Sequence, residues 1–159
     1  MGALLFCYRD SRWPLLALPV FLFIRMALNA LDGMLAREHQ MESKLGTMLN
    51  ELGDVCSDTV VYLPLAAIPH FPPIPVILIV VLSILTEMTG VMAVQISGSR
   101  RYDGPMGKSD RAFAIGLIAL LVGLNAISEA WISTAALWGV VLLLLLTIGN
   151  RWRKALRGT

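Results

Sequence analysis

Apolar residues fall into five stretches along the chain, at about 14–34, 46–69, 73–97, 111–127 and 131–149, with short polar segments between them. Each is close to the roughly 20 residues a helix needs to cross a bilayer core of about 30 Å. The last two stretches predict a helical hairpin turning near Ile127-Ser128-Glu129. Pro69, Pro72, Pro73 and Pro75 predict a break between the second and third stretches, because proline has no N–H and clashes with the turn before it. The first stretch carries Arg25 and runs into a polar segment, which makes it the weakest span by hydropathy. Met1 to Cys7 is apolar but too short to cross. It lacks the basic start and cleavage site of a secretory leader and reads as the tail end of another span.

Composition supports the same reading. The 159 residues are 57% hydrophobic and 15% charged, against about 25% charged in soluble domains. The fold class expected is an all-α integral membrane protein of about five transmembrane helices, forming one domain over residues 1–159. A net charge of +2 is too small to argue for nucleic acid, but its distribution is informative. Arg37 and Lys44, then Arg100, Arg101, Lys108 and Arg111, then Arg151, Arg153, Lys154 and Arg157 all fall on one side of the predicted bundle. The other side holds Arg9 and Arg12. The positive-inside rule makes the first side cytoplasmic, with the C-terminus inside and the N-terminus outside. Cys7 and Cys56 have no metal-type spacing, and a disulfide between them is poorly supported.

Within this apolar chain Asp32, Asp54 and Asp58 stand out. A carboxylate at membrane depth costs roughly 2.5–3.5 kcal/mol on insertion scales, so several together point to a function. Asn29, Asp32, Gly33 and Ala36 fall at i, i+3, i+4 and i+7, one face of a helix. Gly46, Asn50, Asp54 and Asp58 follow at steps of four, again one face. Two such helices meeting at the cytoplasmic side would bring these rows to a common pocket. Oxygen-only donors of this kind suit Mg²⁺ or Mn²⁺ rather than zinc. Gly33 and Gly46 would leave room for a bulky ligand. His39 and His70 are isolated, and no Ser-His-Asp or Cys-His arrangement is visible.

These residues resemble the CDP-alcohol phosphatidyltransferases. That family carries Asp-x-x-Asp-Gly-x-x-Ala-Arg, eight or so residues, then Gly-x-x-x-Asp-x-x-x-Asp. The chain matches it at Asp32, Gly33, Ala36, Arg37, the eight-residue gap, Gly46 and Asp54, with Asn29 and Asn50 at the first and third aspartate positions. The resemblance implies a six-span bundle of which this chain holds about five spans, without the first span and a short amphipathic helix before it. It implies transfer of a phosphatidyl group from CDP-diacylglycerol to an alcohol acceptor in phospholipid biosynthesis, with release of CMP. It also implies a homodimer in the lipid bilayer and no nucleic-acid partner. Its first three acidic positions would hold the metal against the pyrophosphate, and the fourth would be the general base. Carried over, Asp32 is a ligand, Asn29 and Asn50 are amide-oxygen ligands, Asp54 is the base, and Gly33, Ala36, Arg37 and Gly46 line the substrate site.

Two assignments of roles stay open, because two carboxylates of the pattern are missing and Asp58 lies one turn beyond Asp54, about 6 Å along the axis. In the second assignment Asp54 serves the metal and Asp58 is the base. The segment 99–111 adds Gly104 and Gly107 around Pro105, with Arg100, Arg101, Lys108 and Arg111 nearby. It resembles a basic Gly-Lys segment that some family members place before the fifth span, where Lys108 and Arg111 would meet a phosphorylated acceptor. The plainer reading is a positive loop at anionic headgroups. Glu87 reads as a structural partner of Arg25 or as a cavity-lining acid, and Gln95 as a cavity cap or an interhelical hydrogen bond. Trp131, Trp138 and Trp152 read as interface anchors. Three function classes follow: a phosphatidyltransferase with glycerol 3-phosphate among its possible acceptors, a relative that binds lipid or nucleotide without turnover, and a cation- or proton-conducting bundle. The fixed spacing of Gly33, Ala36 and Gly46 argues against the third, since a proton path needs no such glycines.

Overall fold

A computed structural model describes residues 1–39, 43–98, 100, 102–127 and 129–157, the side chains at 36, 37, 44 and 97 excepted. The described residues form six α-helices and one 3₁₀ segment, with no strand. The helices are α1 (Gly2–Cys7), α2 (Trp13–Glu38), α3 (Lys44–Tyr62), α4 (Pro73–Ser97), α5 (Lys108–Gly123) and α6 (Ala130–Arg157).

Their ends follow local chemistry. Ser43 caps α3, its hydroxyl accepting from the Gly46 N–H at 2.9 Å. The second predicted span, 46–69, is interrupted after Tyr62 by a 3₁₀ segment, Leu63–Ala67, because Pro64 cannot continue the α-helical ladder. Helix α4 has the predicted bounds, with Pro73 and Pro75 in its first turn and Gly98 closing it in the left-handed region. Helix α5 begins at Lys108, before the predicted 111, because the Asp110 carboxylate accepts from the Gly107 N–H at 2.9 Å and starts the helix there. Helix α6 continues through the basic tail to Arg157. Of the predicted hairpin turn, Ser128 lies outside the described residues.

Against the five expected spans, three helices among the described residues are long and apolar enough to cross a membrane: α2, α4 and α6. The other two fall short for different reasons. Helix α5 has 16 residues, about 24 Å at 1.5 Å per residue. Helix α3 carries the polar row of the motif. Met1 to Cys7, expected as the end of a span, forms α1, whose Leu5 is buried against the 3₁₀ segment and α3.

Packing pairs α2 with α5 and α4 with α6, while α3 leans on α4 and the 3₁₀ segment. The α2–α5 pair approaches closely through a stripe of small residues on α5: Ala112, Gly116, Ala119 and Gly123, all buried. A Cβ on Gly123 would lie 2.8 Å from Leu16 Cδ2. The two motif helices behave differently. No Cα pair between α2 and α3 comes within 8 Å among the described residues, so the two helices meet through side chains.

The segment between α4 and α5 is fastened to α6. The Met106 N–H donates to Thr147 Oγ1 at 3.0 Å, Lys154 Nζ pairs with Asp103 at 2.6 Å, and Arg151 Nε donates to the Asp103 carbonyl at 3.4 Å. Gly104 has φ +131°, and a Cβ there would meet the Thr147 Cα at 2.8 Å. Gly104→Ala therefore forces a left-handed backbone and a clash against helix backbone together. It is expected to lower stability by about 1–3 kcal/mol, read as a drop in the thermal unfolding midpoint in detergent.

Candidate active site

The site is built at one end of the bundle from side chains one turn apart on three helices. Helix α2 supplies Arg25 and Asn29, α3 supplies Asp54 and Asp58, and α5 supplies Lys108 and Arg111. Arg25 pairs with Asp58, and Asn29 Nδ2 donates to Asp54 Oδ1 at 2.9 Å, which crosslinks α2 and α3 in an antiparallel register. Lys108 pairs with Asp54 Oδ2 and Arg111 Nη2 donates to Asp58 Oδ2 at 2.7 Å, which joins α3 and α5 in a parallel register. Each aspartate is thus held by one side chain from α2 and one from α5.

A second layer lies behind. Glu87 of α4 accepts from Arg111 at 3.2 Å and from Arg100 at 3.0 Å, and Arg100 also pairs with Glu51. The cluster sets four cations, Arg25, Arg100, Lys108 and Arg111, against four anions, Glu51, Asp54, Asp58 and Glu87. It is neutral, as buried charge has to be. Glu87 is therefore structural, as one reading held, but its partners are Arg111 and Arg100 rather than Arg25. It also borders a cavity of about 10 Å³ with Asp58, Tyr62, Ser83 and Arg111. That volume has no room for a nucleotide.

Burial separates the two aspartates. The Asp58 side chain is 5% exposed, with one oxygen on Arg25 and the other on Arg111, itself 1% exposed. Asp54 is 15% exposed, and its cationic partner Lys108 is a flexible side chain at 20%. Arg111, read from the sequence as a contact for acceptor phosphate, has its guanidinium spent on Asp58 and Glu87. Lys108 alone of that pair reaches the motif.

The remaining motif residues are less enclosed. Asp32 is exposed on α2 and Asn50 exposed on α3, while Gly33 is half-buried with open space where a Cβ would be. Gly46 sits in the capping turn of α3, where a Cβ would meet Ser43 Oγ at 3.0 Å. Ala36 and Arg37 lie in α2, their side chains outside the described residues, and Arg101 lies outside them altogether. Gln95 is exposed, as are the three tryptophans read as interface anchors, Trp131, Trp138 and Trp152. Cys7 and Cys56 are free thiols.

Among the described residues no three His, Cys, Asp or Glu side chains gather as a metal cage. Two of the four acidic positions are amides, so the motif offers two carboxylates and two neutral oxygens. That donor set is hard and oxygen-only, and in charge it balances one divalent ion. The Lys108 ammonium on Asp54 marks where positive charge is accommodated, and the chemistry of the donor set fits a divalent ion.

Sequence reasoning missed Arg25, Glu51 and Arg100 as members of this site. Arg25 had a signal: a cation inside an apolar span, one turn before Asn29, calls for an acid opposite it.

The described residues thus form an all-α bundle with helices fit to span a membrane, its Asp/Asn motif on two helices tied to Lys108 and Arg111 of a third. Comparison with known proteins supplies the class. The family model of the CDP-alcohol phosphatidyltransferases matches residues 1–149. The inner membrane protein YnbA of Escherichia coli (strain K12) is 50% identical over 143 residues, covering 89% of this chain and 70% of that protein. No solved structure matches the chain. The chain belongs to the CDP-alcohol phosphatidyltransferase family, phosphotransferases for substituted phosphate groups that act in phospholipid synthesis and generally use a divalent metal.

Proposed function

We propose that the chain moves the phosphatidyl group of CDP-diacylglycerol to a small alcohol, with glycerol 3-phosphate the first acceptor to test, at the cytoplasmic face of a bacterial inner membrane. The observation that carries this is the meeting of Lys108, from the basic segment before α5, with Asp54 of the motif. A lysine ammonium set against a motif carboxylate supports a role for Lys108 in binding the acceptor's phosphate. The basic residues Arg100, Lys108 and Arg151 cluster at this same end of the bundle, which supports the cytoplasmic orientation.

In the proposed reaction Asp54 takes the proton of the acceptor hydroxyl. The oxygen then attacks the phosphorus that bears diacylglycerol, the bond from that phosphorus to the bridging oxygen breaks, and the electron pair leaves with CMP. The base role goes to Asp54 rather than Asp58, because a base must come within about 2.6–3.2 Å of the hydroxyl. Asp58 is the more enclosed of the two, 5% exposed against 15% for Asp54, and is clamped by two guanidinium groups rather than by an amide and a flexible lysine, so it serves to hold Arg25 and Arg111. Lys108 binds the acceptor's phosphate, while Arg111 fixes the helix turn that presents it. Gly33, Ala36, Arg37 and Gly46 line the path of the nucleotide. One Mg²⁺ or Mn²⁺, held by Asp32 with the amide oxygens of Asn29 and Asn50 beside the Asp54 charge, would neutralise negative charge on the pyrophosphate. By resemblance to the family, the working form is a homodimer.

A second reading, binding of CDP-diacylglycerol without turnover, is favoured by Asn29 and Asn50, which weaken the metal shell. Release of CMP from CDP-diacylglycerol by the purified protein separates the two. Turnover is expected to need both acceptor and divalent ion and to stop on chelation with EDTA. Binding of CDP-diacylglycerol with no CMP under any acceptor would establish the second reading instead.

A further inference from the structure

The Asp54–Lys108 pair has a consequence for cation binding beyond the transfer reaction. Both oxygens of Asp54 are engaged by proton donors, Oδ1 by the Asn29 amide at 2.9 Å and Oδ2 by the Lys108 ammonium. In this arrangement Asn29 presents N–H, not oxygen, toward Asp54. The motif's own negative charge comes from Asp32 and Asp54, and Lys108 cancels one of the two. Arg25 adds a further positive charge 3.8 Å from Asp54 Oδ1. A divalent ion approaching Asn29 and Asp54 therefore meets a half-neutralised site and the repulsion of an ammonium already seated there.

We propose that Lys108 is the motif's resident cation, and that a divalent ion binds beside Asn29 and Asp54 only as the lysine withdraws. The inference rests on the reading of the motif as a cation site and adds how that site is guarded. Lys108 is suited to the task because its point charge rides on a flexible stem, unlike the fixed fork of Arg111 on the next turn. The anionic phosphates of a substrate give the withdrawn lysine its alternative partner. Metal uptake and substrate arrival are thereby coupled, and the free protein binds divalent ions weakly.

Mn²⁺ titration of the full chain in detergent, followed by the electron paramagnetic resonance of free Mn²⁺, tests this without turnover. Lys108→Met and Lys108→Gln remove the charge, and each is expected to bind Mn²⁺ about tenfold more tightly than the parent or better. Lys108→Arg keeps the charge and should stay near the parent value. Adding Asp54→Asn to Lys108→Met should cancel the gain. Equal affinity of the parent and both neutral variants would overturn the inference while leaving the motif a metal site. No Mn²⁺ binding by any variant would overturn the inference together with the metal reading on which it stands.

Discussion

Asp54→Asn is expected to reduce CMP release from CDP-diacylglycerol by about 100-fold or more, the scale set by losing a positioned general base. The substitution keeps the shape of the side chain and its bond with Asn29 but removes the charge paired with Lys108, which at 20% exposed can turn to solvent, so stability should fall less than on loss of a fully buried anion and the affinity for CDP-diacylglycerol should change little. The loss should therefore appear in kcat. Steady-state kinetics with saturating acceptor would show it. A variant that keeps a quarter of the parent rate would exclude Asp54 as the base. Asp58→Asn is the matched control. Its first effect should be on stability, because it strips a buried anion from between Arg25 and Arg111.

Arg111→Met carries the largest expected effect on the fold. The guanidinium is 1% exposed and joins α5 to Asp58 of α3 and Glu87 of α4. Taking out one member of a buried ion cluster leaves the others uncompensated, which costs about 3–5 kcal/mol. Arg111→Lys keeps the charge but cannot reach both acids, so it should fall between the two. Unfolding in detergent measures all three. The double variant Arg111→Met, Glu87→Gln leaves three cations against three anions and should recover part of the loss, because the cost lies in stranded charges and not in the missing contacts. If the double variant is less stable than Arg111→Met alone, the network contributes by direct bonding and this account fails.

The parts of this structure legible in the sequence are those governed by local rules. Proline placement fixed the break before α4, and apolar run length fixed its bounds. Motif spacing put Asp54 on a face it shares with Asp58. The start of α5 was misjudged because hydropathy read Arg111 as the edge of the loop, while the capping of Gly107 by Asp110 had already begun the helix. The partners of Glu87 and Arg25 were beyond reach for another reason. Arg111 and Glu87 lie 24 residues apart and Arg111 and Asp58 53 apart, and no periodicity encodes which acid a buried arginine will choose. The same holds for Lys108 and Asp54. The sequence places both near the membrane surface, but their contact depends on how α5 settles against α2 through Ala112, Gly116 and Gly123.

The fastening of the α4–α5 segment to the last helix sets a boundary that the family signature does not mark. The region shared with the family ends at residue 149, whereas the hook on Asp103 is made by Arg151 and Lys154. A polypeptide stopped at 149 would retain every residue of the Asp/Asn motif, together with Lys108 and the Met106–Thr147 bond, and would lose the two bonds to Asp103 that complete the fastening of the segment leading into α5. For this bundle, possession of the motif and possession of the full support around it are separate properties, and the second extends into the tail.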